Sequence, residues 1–255
     1  MSRFDRFRKS SNPFLNERRL ADAAQQSTLD EGMVSRGVTD PMTVSGAVNK
    51  TLILAALMLL TATIGYANPS PLYVWGGAIG GLILVVVMSF NQKLSPTLAP
   101  IYALLEGLFV GSITAIYAGA FSGIAIQAIL LTVAILFMML FIYKAGIIKV
   151  TQKFRSGVIM ATGAILLVYI LSWVLGMFGI NIPYLHEGGM IGIGISVVII
   201  GVASLNLLLD FDNFERGERF RAPKYMEWYS AVGLLVTLVW LYLEILRLLA
   251  ILSSE

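Results

Sequence analysis

Seven apolar stretches, each about the length that crosses a bilayer core as a helix, separate connections that alternate strictly between basic and bare. The stretches run roughly over 47–67, 71–90, 97–118, 124–143, 156–178, 188–209 and 228–252. The N-terminal part, up to the first turn of the first stretch, holds Arg3, Arg6, Arg8, Lys9, Arg18, Arg19, Arg36 and Lys50. The second connection holds Lys93, the fourth Lys144, Lys149, Lys153 and Arg155, and the sixth Arg216, Arg219, Arg221 and Lys224. The first, third and fifth hold no base, and the one remaining base, Arg247, lies inside the seventh stretch. Lys and Arg gather on the cytosolic side of short loops. The pattern therefore predicts a cytosolic N-terminus, seven spans and an outer C-terminus.

Composition agrees. Of 255 residues, 57% are hydrophobic and 13% charged, against about 25% charged in a soluble domain; mean hydropathy is +0.81. Only helices and closed barrels span lipid, because every backbone polar group must be paired internally. Barrel strands alternate at period two, whereas Leu52 to Leu60 is continuously apolar and Ile129 to Ile142 is broken only by Thr132. The fold class is thus an all-α integral membrane protein, a seven-helix transmembrane bundle over 46–255. Residues 1–45 read as a cytosolic, largely disordered basic tail. In it Phe4, Phe7 and Phe14 interleave with arginines, so a short helix on the membrane surface is the alternative. The first apolar stretch begins too late and is too long for a cleaved leader, and reads as a retained anchor.

The net charge of +3 reflects bases that set topology and meet anionic lipid heads, so the lipid bilayer is a partner and nucleic acid is not. No cysteine is present and His186 is the only histidine, which removes thiol chemistry and clustered-His metal sites. No nucleophile elbow or paired-His motif occurs, and the expectation is that the protein is not an enzyme. Gly76 and Gly80, Gly77 and Gly81, Gly107 and Gly111, and Gly188 and Gly192 have the four-residue spacing of close helix contacts.

Ionisable groups inside spans are costly unless paired, and so carry the functional hypotheses. Glu106 lies roughly 14 Å into the third span, near the midplane. Glu244 lies roughly 24 Å into the seventh, with Arg247 three residues on, sharing its helix face. Glu244 is either a local ion-pair partner of Arg247 or a proton- or cation-binding carboxylate. Asp210 closes the sixth span directly after Leu207-Leu208-Leu209; Asp212, Glu215 and Glu218 read as a solvated, mixed-charge loop. Glu227 opens the seventh span and can cluster with Asp210. Two carboxylates in a partly dry site share a proton near neutrality, separating or binding Ca²⁺ when it leaves, which makes a gate for a cation leak.

Several motifs resemble the Bax inhibitor family, a bacterial subgroup in particular. They are Tyr102-Ala103-Leu104-Leu105-Glu106-Gly107, Leu209-Asp210-Phe211-Asp212, Ala222-Pro223-Lys224-Tyr225-Met226-Glu227-Trp228-Tyr229 and Leu241-Tyr242-Leu243-Glu244-Ile245-Leu246-Arg247. The resemblance covers about 42–252. It implies six helices around a central seventh, and a pH-sensitive Ca²⁺ leak of the bacterial inner membrane sensed by two Asp residues on the last two helices. Asp210 matches the first Asp. Alignment through Arg247 puts Thr237 at the second; another register puts Glu244 there, too far above Asp210 to share a proton. The pair is then replaced by Asp210 with Glu227, or by a deeper site of Glu106 and Glu244. Asp210 is the residue expected to meet calcium. No resident cofactor is expected, only transient Ca²⁺ or H⁺. The alternative function is a non-conducting regulator of membrane-protein quality control that binds a membrane protease or another membrane protein, with the tail as its handle.

Overall fold

The computed structural model describes residues 41–179 and 189–254. The expectations placed on residues 1–40, on His186 and on Gly188 lie outside the described residues. Seven helices are long and apolar enough to span a membrane: α1 (Val44–Ala67), α2 (Pro71–Phe90), α3 (Ser95–Ala120), α4 (Ile124–Lys144), α5 (Gln152–Met177), α6 (Met190–Arg219) and α7 (Tyr225–Ser254). A 3-10 turn, Gln92–Leu94, leads into α3.

Side chains set these boundaries. Thr43, Ser70 and Thr151 cap α1, α2 and α5, each accepting from a first-turn N–H. Pro71 opens α2, where its missing N–H costs nothing. Gly123, at φ 80°, supplies the left-handed residue ahead of α4. The chain folds back short-looped, so consecutive helices are antiparallel. The bundle has a basic end, carrying Lys93, Lys144 and Arg216, and an opposite, bare end.

The sixth span differs from its expectation. It does not stop at 209 but runs as helix for ten more residues, to Arg219. Hydropathy sees only the lipid-matched part of a helix. Past Leu209 the helix projects beyond the apolar layer, held by the Asp212–Arg216 pair four residues apart (3.8 Å) and by side chains from other helices described below. Asp212, Glu215 and Glu218 are therefore helical, not members of a solvated loop.

Helix α7 is central. Of its apolar window 61% is buried, against 11% for α5, and it packs on α1, α3, α4 and α6. Its first half shares a buried cluster with Leu54, Met88, Ala99 and Ala103 through Ala231 and Leu235; its second half, with Leu241, Ile245 and Leu246, belongs to the larger cluster that also holds Val110, Ile124 and Ala128. Large apolar side chains such as Leu72, Phe90 and Met190 point outward. In lipid this costs nothing, because acyl chains are as apolar as leucine and helices associate by close packing instead. Glycine provides that closeness between α1 and α3. A Cβ on Gly107 would strike the Met58 carbonyl and the Thr61 hydroxyl, and one on Gly111 the Ala62 carbonyl. Gly77 does the same for α2 against Phe109. Two of the glycine pairs expected to mark contacts are thus contacts. Gly76 instead faces open space.

Candidate functional site

The four acids expected to matter are distributed over separate places, each set by what surrounds the carboxylate.

Asp210 lies on α6 at the basic end. It lines a cavity of about 550 Å³ walled by Met88 of α2, Met42 ahead of α1, and Met226, Gly233 and Val236 of α7. Its Oδ2 is buried and has no hydrogen-bond partner among the described residues. Across from it is Thr237 of α7, whose hydroxyl donates to the Gly233 carbonyl at 3.2 Å and is a side-chain neighbour of the Asp210 carboxyl. On the last helix Thr237 and Gly233 thus lie beside Asp210. Arg155, at the start of α5, is the nearest cation to act on Asp210. It is committed elsewhere, donating to Asp212 Oδ2 at 2.6 Å and Asn213 Oδ1 at 2.9 Å.

Glu227 does not join Asp210. It is 2% exposed, and its Oε1 accepts from the Thr43 N–H (3.1 Å) and the Thr43 hydroxyl (3.2 Å). Gly46 lies against the same carboxylate with no room for a Cβ. Glu218 accepts from the Val44 N–H at 3.1 Å. Two acids from the α6–α7 hairpin therefore hold the positive N-terminal end of α1, a favourable place for negative charge. Beside them Met42, 1% exposed, bonds through its N–H to the Ala222 carbonyl (2.8 Å) and fills the space that Gly217 leaves. The expected Asp210–Glu227 cluster is not formed, because α1 takes the carboxylate first.

Glu106, 8% exposed, sits between α2 and α3 near Tyr102, in the space opened by Gly81. These surroundings share no residue with the partners of Glu244, which are Tyr169, Ser196 and Arg247. Glu244, 5% exposed, is surrounded by donors. It accepts from Tyr169 of α5 (2.8 Å), Ser196 of α6 (3.2 Å) and Arg247 (3.4 Å). The local pair with Arg247 is present, and it is knitted into three helices. A cavity of about 560 Å³ adjoins it at the bare end.

Tyr169, Ser196 and Thr43 carry this geometry and were not foreseen. The first two were visible as hydroxyls within apolar spans; Thr43 offered only a helix-cap signal, with its partner 184 residues away.

Seven spans, the last of them the most buried, with a cavity lined by Asp210 at the basic end, define a polytopic helical membrane protein. The Bax inhibitor 1 like family model matches residues 12–254, and the chain belongs to that family. No curated protein matches the chain.

Proposed function

We propose that the protein is a pH-sensitive cation leak, with calcium the ion to test first, gated at Asp210. The observation that carries this reading is Asp210, which lines a cavity at the end of a transmembrane bundle and whose Oδ2 is buried with no hydrogen-bond partner among the described residues. Such an oxygen must hold a proton or find a cation. One carboxylate and one hydroxyl fall well short of the six to eight oxygens that hold Ca²⁺, which suits passage over storage. Glu106, buried within its span beside Tyr102, is the second position to test. We read Glu227 and Glu244 as structural, since their carboxylates are supplied with donors. The setting proposed is a bacterial inner membrane with the basic end cytosolic, and the chain is proposed to act without catalysis.

The test is Ca²⁺ flux into proteoliposomes between about pH 6 and 8, comparing wild type, Asp210→Asn, Glu106→Gln and Thr237→Asp. Wild-type flux should change with pH, Asp210→Asn should flatten the profile, and Thr237→Asp, which adds a second acid beside the first, should steepen it. Folded protein that gives no flux above empty liposomes at any pH would end the leak reading and leave the partner-binding regulator.

A further inference from the structure

A hollow of about 500 Å³ lies between α1 and α4, in the half of the bundle toward the bare end. These two helices pack on α3 and α7 rather than on each other, so the hollow opens sideways. Its rim is formed by Leu59, Ile126 and Ile129, all exposed, and its floor by Val110, Leu238 and Val239. Five hydroxyls line it, and four of them are spent internally. Thr63 donates to the Leu60 carbonyl at 2.7 Å, Thr114 to the Val110 carbonyl at 2.6 Å and Thr132 to the Ala128 carbonyl at 2.8 Å. With the Thr114 proton committed, Tyr242 donates to the Thr114 oxygen, 2.8 Å away. The fifth, on Tyr66, stands one residue before the end of α1, at the depth where tyrosine rings meet lipid headgroups.

Such a hollow does not hold water, which needs several polar partners. Left empty, its walls would forfeit their dispersion contacts. Ile129 lies roughly 8 Å along α4, so the opening faces the hydrocarbon layer, about 30 Å thick. We propose that one acyl chain of a membrane lipid enters the hollow from the side and fills it, selected by its chain and not by its head group. No Lys or Arg stands in the first or third connection, which border the bare end of the hollow, so no cation there favours an anionic head over a zwitterionic one. Tyr66 can donate to the phosphate or ester oxygens that both kinds of lipid carry. The site makes no use of Asp210 and stands whether or not the protein conducts.

The experiment reconstitutes the full chain in vesicles of phosphatidylcholine or of phosphatidylglycerol, each doped with the same lipid bearing a photoreactive diazirine midway along one chain. After illumination, adducts are located by peptide mass spectrometry. Wild type should carry adducts on Val239 or Tyr242, which are only 5% and 8% exposed, and to a similar extent with either head group. Ile129→Trp fills the mouth of the hollow and should lose those adducts. Leu130→Trp, one residue on and outside the hollow, should keep them; both positions are exposed to lipid, so the pair separates a blocked hollow from a disturbed fold. Wild-type adducts confined to exposed residues such as Leu59 and Ile126, or undiminished labelling of Val239 and Tyr242 in Ile129→Trp, would overturn the proposal. Labelling of these two residues with one head group alone would equally overturn it, since a head group would then be the selected feature.

Discussion

Replacing Glu227 separates a structural carboxylate from a gating one. In the native fold its Oε1 takes both the N–H and the hydroxyl of Thr43, and its charge sits at the start of α1. Glu227→Gln keeps an acceptor in place and removes the charge. It forgoes the helix-end interaction, about 1 kcal/mol and up to ~2 when partly buried, so a loss of about 1–2 kcal/mol is expected. Glu227→Ala also strands the Thr43 N–H in a dry place, an added cost of about 1–3 kcal/mol, and empties the volume of a residue that is 2% exposed. Its total should reach about 3–4 kcal/mol. Thermal unfolding in detergent would rank the three proteins wild type, Gln, Ala, while the pH profile of any flux stays the same for wild type and Gln. A Gln variant as stable as wild type whose pH profile moves would refute the reasoning and return Glu227 to the gate.

Other substitutions test other contacts. Gly111→Val drives side-chain atoms into the Ala62 carbonyl, and should destabilise by about 1–3 kcal/mol in the same unfolding assay. Glu244→Gln leaves Arg247, with a side chain 17% exposed, without its counter-charge; a loss of about 2–3 kcal/mol is expected, reduced in Glu244→Gln/Arg247→Met, with the double-mutant cycle giving the coupling. Arg221, two residues past the end of α6, stands at φ 49°, a left-handed position that favours glycine, so Arg221→Gly should raise stability by about 0.5 kcal/mol.

The spans were legible because twenty-residue apolar runs report one physical requirement, a length of hydrocarbon to cross. Their ends were less so. Seven of the ten helical residues after Leu209 are polar or charged, and they have partners on other helices, Arg155 for Asp212 and Tyr143 for Glu215, while Phe211 and Phe214 turn into the core. Among the acids, the Glu244–Arg247 pair was readable because three residues along a helix is a fixed geometry. The fate of Glu227 was not, since it turns on Thr43, distant in sequence and close only after folding. That Thr237 lies beside Asp210 depends on how α7 packs on α6.

The acids that hold the start of α1 bear on how the chain is made. Synthesis delivers α1 first, while Glu218 and Glu227 come from its last quarter. Any chain interrupted before that hairpin has an α1 without either carboxylate on its first N–H groups. The first span made is thus among the last to be finished, and a protease cut near Thr43 would report whether insertion had run to completion.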